Sequence, residues 1–203
     1  MHKILFFFFF IIGLSHAQQL TIDYKLTYRV FNNQDKTEYT SSHSVSSLRH
    51  DISLFIRGDS LNVNDYLTDK TFTFKNEIVK DENQLKLVNT KPFIVENEFK
   101  VDRTELIKIS DFVYKIIVYK TKKDKKPMIL KVFLEKSDDN LISYLPLDLN
   151  PNIVQIIFQN LNDQLLPNKF IVKRAEVLYE SGSEYIFNLL NMEKINYVIN
   201  LPQ

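Results

Sequence analysis

His43 and His50 stand within a serine-rich stretch, and imidazoles are the side chains here with the widest chemical repertoire. A histidine pair can share a metal ion, and a histidine set between a serine and a carboxylate can drive nucleophilic catalysis. Their odd separation sends them to opposite faces of a straight strand, and the HExxH pattern of one helical face is absent. Neither sits in a recognisable hydrolase context. Surface or turn histidines are the ordinary reading, with no metal and no cofactor expected; a hydrolase using a serine with His43 or His50 is the remote alternative.

The carboxylates give a similar answer. Asp81-Glu82 and Asp138-Asp139 fall in expected turns, where acidic residues are ordinary solvated groups. Glu96 and Glu98 share a strand face and could bind calcium, but two carboxylates that close on one strand do not oppose each other across a sugar ring. Residues 120–126 carry five lysines against one aspartate. Lys122, Lys123, Lys125 and Lys126 could contact an anionic surface, or serve only as the soluble tip of a hairpin that discourages edge pairing.

Absences exclude more. There is no Cys, which removes thiolate nucleophiles, cysteine-based zinc sites, disulfides and an amino-terminal lipid anchor. Only Gly58 and Gly182 follow residue 17, so neither a phosphate-cradling glycine loop nor the GxSxG elbow can be written. The reading is therefore of a non-enzymatic chain.

The elements that must position these residues are mostly strands. Ile22, Tyr24, Leu26, Tyr28 and Val30 alternate with polar residues, which predicts a half-buried antiparallel strand over 22–30. A polar strand over 37–48, a short strand over 51–57 and an ambiguous segment over 60–70 follow. Further strands are expected at 71–75, 85–88, 93–101 and 106–109. Two hairpins are clearest: 112–119 with 128–135, and 169–179 with 184–190. A last short strand covers 195–201.

One segment differs. Asn150 before Pro151 is a good helix start, and Ile153, Val154, Ile157, Phe158, Leu161 and Leu165 keep a helical stripe. Pro167 prevents extension. The expected fold is mainly β (α+β): a single antiparallel, strongly twisted sheet or partial barrel with one amphipathic helix packed on it.

The amino terminus supplies an address. Met1-His2-Lys3, an apolar run over 4–14 and then Ser15-His16-Ala17 make a secretory signal peptide, too short to span a bilayer comfortably. Cleavage is expected between Ala17 and Gln18. This leaves residues 18–203 as one β-rich domain, exported to the periplasm or beyond, without a transmembrane segment. Removing Lys3 leaves 25 basic residues against 25 acidic ones, a balance that argues against nucleic acid as a partner.

Hydrophobic residues make up 44% of the chain, with 16 Phe and 10 Tyr, enough for a packed core. Some of that aromatic surface could line a cavity. Tyr28, Phe55, Phe133, Ile157 and Phe158 are the candidates for a cleft between sheet and helix, taking an apolar small molecule, a lipid or an envelope-protein partner. The alternative is a structural or adhesive module acting through sheet edges and the lysine-rich tip.

The early strand Thr21-Ile22-Asp23-Tyr24-Lys25-Leu26-Thr27-Tyr28, together with Leu54-Phe55-Ile56-Arg57-Gly58-Asp59-Ser60, resembles the GLPGLI group of exported β-rich proteins of the Bacteroidota. At the proline-centred turn this chain has Leu145-Pro146-Leu147-Asp148-Leu149-Asn150-Pro151 in place of the naming motif. The resemblance implies a cell-envelope protein and no particular activity. A twisted sheet over a helix also looks like the periplasmic lipoprotein carriers, an analogy of fold alone.

Overall fold

The structure is a computed structural model that describes residues 18–57, 60–79, 82–92, 100–120 and 126–201. It begins with β1 (Gln18–Asn32) and β2 (Glu38–Val45), a hairpin, followed by β3 (Ile52–Arg57), β4 (Ser60–Asp65), β5 (Lys70–Val79) and β6 (Glu82–Pro92). Next come β7 (Val101–Ser110), β8 (Val113–Lys120) and β9 (Met128–Lys136). A 3-10 turn (Ile142–Tyr144) leads to the helix α1 (Pro151–Leu165), and β10 (Phe170–Leu178) and β11 (Glu184–Leu201) complete the fold.

The class is mainly β with one helix, as the sequence predicts. The strands expected in one sheet divide between two. A seven-stranded antiparallel sheet has the order β2-β1-β11-β10-β9-β8-β7 and stays open, with β2 and β7 as its edges. Strands β3-β4-β5-β6 form a separate antiparallel meander. The segment 60–70 resolves as β4 followed by a turn, in which the Asp65 carboxylate accepts the backbone N–H groups of Leu67 (2.9 Å) and Thr68 (3.3 Å). Most of the strand expected over 93–101 lies outside the described residues; Val101 opens β7.

The helix forms where the stripe places it. The Asn150 side chain accepts the Asn152 N–H at 2.8 Å and Pro151 fills the first turn, so two of the orphan positions of a helix start are dealt with locally. Val154, Ile157, Phe158, Leu161 and Leu165 are buried against Ile116, Leu130, Val132, Val172 and other inward residues of the seven-stranded sheet. Burying each large apolar side chain contributes roughly 1.5–3 kcal/mol.

Strands β1 and β11 hold the two sheets together. They pair along nearly their whole length, from Gln18 opposite Leu201 to Asn32 opposite Tyr185. Register irregularities at Ile22/Tyr24 and Thr27/Tyr28 each place one extra residue on β11. The first marks a change of partner. Tyr24, Leu26, Tyr28 and Val30 face the helix-covered core, whereas Leu20 and Ile22 join Ile199 and Leu201 against Val63, Phe72 and Phe74 of the four-stranded sheet.

The crossover from β2 to β3 is fastened by polar groups. Ser47 donates its backbone N–H (2.7 Å) and its hydroxyl to the Asp23 carboxylate. Tyr144 donates its hydroxyl to the Ser46 carbonyl, with the Arg49 carbonyl at 3.1 Å. Arg49 clasps Asp51 through two bonds of 2.7 and 2.6 Å and reaches Asp65 at 3.4 Å. These contacts explain why the chain leaves the first sheet here.

Candidate functional site

Open space lies at one end of the seven-stranded sheet, beneath the loop that precedes α1. It is a cleft of about 550 Å³ bounded by four segments. Strand β2 supplies Tyr39 and Ser41, the facing ends of β8 and β9 supply Lys120 and Met128, and the loop supplies Pro146, Leu147, Asp148 and Leu149. The β10–β11 turn and β11 add Tyr179, Glu180, Ser181, Ser183, Tyr185 and Phe187.

The floor belongs to the core. Met128 and Phe187 are each 2% exposed and Leu147 is 7% exposed. The rim is aromatic and polar. Tyr179 and Tyr185 meet at 5.5 Å with their rings almost perpendicular (85°), and Tyr185 leans toward Phe187 at 6.3 Å. Asn32 donates to the Tyr185 hydroxyl at 3.1 Å. Lys120 and Glu180 form an ion pair at one side.

Two hairpin ends are tied together to hold this rim. Asn33 N–H donates to the Glu184 carbonyl at 2.8 Å, and Ser183 reaches the Gln34 side chain at 3.1 Å. In the β10–β11 turn, Gly182 takes a φ of +90° and donates its N–H to the Tyr179 carbonyl at 2.9 Å. That conformation suits glycine alone, because a β-carbon strains it.

Burial pushes the Tyr179 hydroxyl up to about 12, partly offset by the Asp148 backbone N–H beside it. Tyr39 is also raised, first by burial and then by Tyr185 and Asp148. Tyr39 and Tyr179 are therefore neutral donors near neutral pH. The site can offer hydroxyl groups, ring faces and a carboxylate above an apolar floor.

The residues picked from sequence do not line one cleft. Tyr28, Ile157 and Phe158 come together, but in the packed interior, at 0%, 1% and 0% exposure. The Tyr28 hydroxyl is satisfied by the Val172 carbonyl at 2.9 Å. Phe133 lies on the opposite face of β9 from Val132 and Leu134, with the Lys131 ammonium 5.0 Å and the Arg174 guanidinium 5.6 Å from its ring centre. Phe55 is on the other sheet, 44% exposed. Lys126 is exposed; Lys122, Lys123, Lys125 and Ala17 lie outside the described residues, and Gln18 opens β1.

His43 lies on β2 and His50 in the crossover that follows it. His43 donates from Nε2 to the Tyr144 carbonyl at 2.9 Å, which leaves Nδ1 as the unprotonated nitrogen, shielded from solvent and unmatched. His43 also stacks on Tyr28, and His50 stacks on Tyr144 at 4.9 Å. Burial lowers both imidazoles. Ser47 spends its hydroxyl on Asp23, and among the described residues no serine hydroxyl hydrogen-bonds a histidine. Nor do the described residues hold a group of three acidic or imidazole side chains placed for a metal. None of the described helices is long and apolar enough to cross a membrane.

Sequence reasoning missed Tyr39, Asp148, Tyr179 and Tyr185 because four segments distant in sequence converge only through strand order. The one local signal is the pair of tyrosines flanking the turn around Gly182. Compared with known proteins, the chain matches no family model and no curated protein sequence.

Proposed function

We propose that this chain is an exported envelope domain that binds a ligand without transforming it, and that binding takes place in the tyrosine-rimmed cleft at the end of the seven-stranded sheet. The carrying observation is the cleft itself: about 550 Å³, an apolar floor and a rim prearranged by two tied hairpin ends. That volume is within the usual range for small-molecule sites. The interface between sheet and helix is filled by Phe158, Ile157 and Leu161, so the sheet–helix cleft is relocated to the rim in this reading. Export rests on the signal-peptide pattern of residues 1–17.

Native mass spectrometry of the protein purified from its own envelope fraction tests the reading. Wild type should carry a mass excess that denaturing extraction removes, and Ser41→Trp, which fills the cleft, should lack it. An equal excess in both proteins would move the site elsewhere. Bare masses in both would favour the second reading, a structural or adhesive module. That alternative draws support from β7, an open sheet edge with Ile107 and Ile109 exposed, and from the lysine-rich tip.

A further inference from the structure

Resting on that binding cleft, a second question is which chemistry it selects. Among the described residues its charges do not cancel. Lys120 is engaged by Glu180, whereas Asp148 makes no ion pair among the described residues. Its walls are also electron-rich: an aromatic ring presents a negative face, and here Tyr179 and Tyr185 form a near-right-angled corner with Tyr39 contributed from β2. A carboxylate beside three tyrosine rings, above an apolar floor, is an arrangement that favours a soft cation over an anion or a neutral polyol.

We propose that the cleft receives a small organic cation, an alkylammonium or quaternary ammonium compound, whose charged head rests against Tyr39, Tyr179 and Tyr185 with Asp148 as its counter-charge. The apolar part of the ligand lies on Met128, Leu147 and Phe187. An inorganic cation fits poorly, because the described residues place no group of three carboxylate or imidazole side chains there for calcium or magnesium. Among the described residues, an anion finds one lining cation, Lys120, and it is already held by Glu180. Asp148 is exposed at the mouth, so it meets the ligand as it enters.

Titration of the processed protein, residues 18–203, by calorimetry and by NMR of the tyrosine rings provides the test. The probes are choline, its uncharged carbon isostere neohexyl alcohol, and glucose. Choline should bind saturably, shift the Tyr179 and Tyr185 ring signals, and bind about tenfold more tightly than the isostere. Asp148→Asn and Tyr39→Leu, both at exposed positions, should weaken choline about three- to tenfold and narrow its advantage over the isostere. Melting curves of both variants should match wild type. Equal affinity for choline and neohexyl alcohol, or a preference for glucose, overturns the cation and leaves the cleft as a binding site. If none of the three probes perturbs a cleft resonance, the cation inference falls and the binding reading falls with it.

Discussion

The helix-covered core and the ribbon-covered core are built on unequal resources. In the first, α1 and the 3-10 turn close one face of a seven-stranded sheet, and Tyr24, Tyr28, Phe158 and Phe187 are almost wholly buried. In the second, among the described residues, the ends of β1 and β11 back a four-stranded sheet. Phe55 on its other face, and Leu85 and Val88 on β6, stay between 38% and 47% exposed. Polar pairs compensate there: Thr71 donates to Asn64 at 2.8 Å, Thr73 donates to Asn62 at 2.9 Å, and Arg49 bridges Asp51 and Asp65. Where apolar area is scarce, register is fixed by hydrogen-bonded side chains, and stability becomes dependent on a neighbour.

The sharpest way to break this comparison is to damage each core in turn. Phe158→Ala should destabilise the whole fold by about 3–5 kcal/mol in urea melts. Phe72→Ala removes a comparable ring, yet hydrogen exchange should show β3 to β6 opening while β8, β9 and β10 stay protected. A single cooperative transition in both variants, with uniform loss of protection, would mean that the two cores are one unit.

A smaller effect addresses the polar fastening between them. Arg49→Ala leaves Asp65, whose side chain is only 2% exposed, without its cation, and should cost about 1–3 kcal/mol, concentrated in the four-stranded sheet. Asp65 keeps the Leu67 and Thr68 N–H groups, which limits the loss. Unfolding free energies of Arg49→Ala and Arg49→Lys, measured side by side, would check whether the bidentate clasp matters.

The mildest prediction concerns pH. Burial lowers His43 and His50 in the folded protein, so the unfolded chain takes up protons first. Their contribution to stability is therefore complete above about 6.5 and declines as pH falls below that value. The groups facing these rings are Tyr28, Tyr144, Asp51 and Asp23, of which the two carboxylates partly counter the shift at His50. His43→Gln should flatten the slope of stability between pH 7 and pH 5, read from urea midpoints. An unchanged slope would locate the acid sensitivity in carboxylates instead.

Much of the local structure was legible because it is local. The alternation of Ile22 to Val30 predicts β1, and Asn150-Pro151 with the stripe through Leu165 predicts α1 to within a residue. β11 was harder. Asn191-Met192-Glu193-Lys194 reads as a polar break between two short strands, yet backbone pairing with β1 carries straight through it. Period-two patterning reports which face a strand buries and is silent about which strand it pairs with. The division into two sheets and the convergence of Tyr39, Asp148 and Tyr185 both depend on pairing, and so neither was readable. Tyr28 and Phe158 carry the kind of aromatic surface that could line a cavity, and such surface is equally the mark of a core residue.

The pairing of Gln18 with Leu201 sets an order of events. β1 emerges first in synthesis, but its partner β11 emerges only after every other element, and each core has residues from both strands. Neither half can therefore close until residues 184–201 are present. A chain threaded amino terminus first through a narrow channel would stay pliable until residues 184–201 had passed. The same topology makes folding slow, because its central contacts span the full described length.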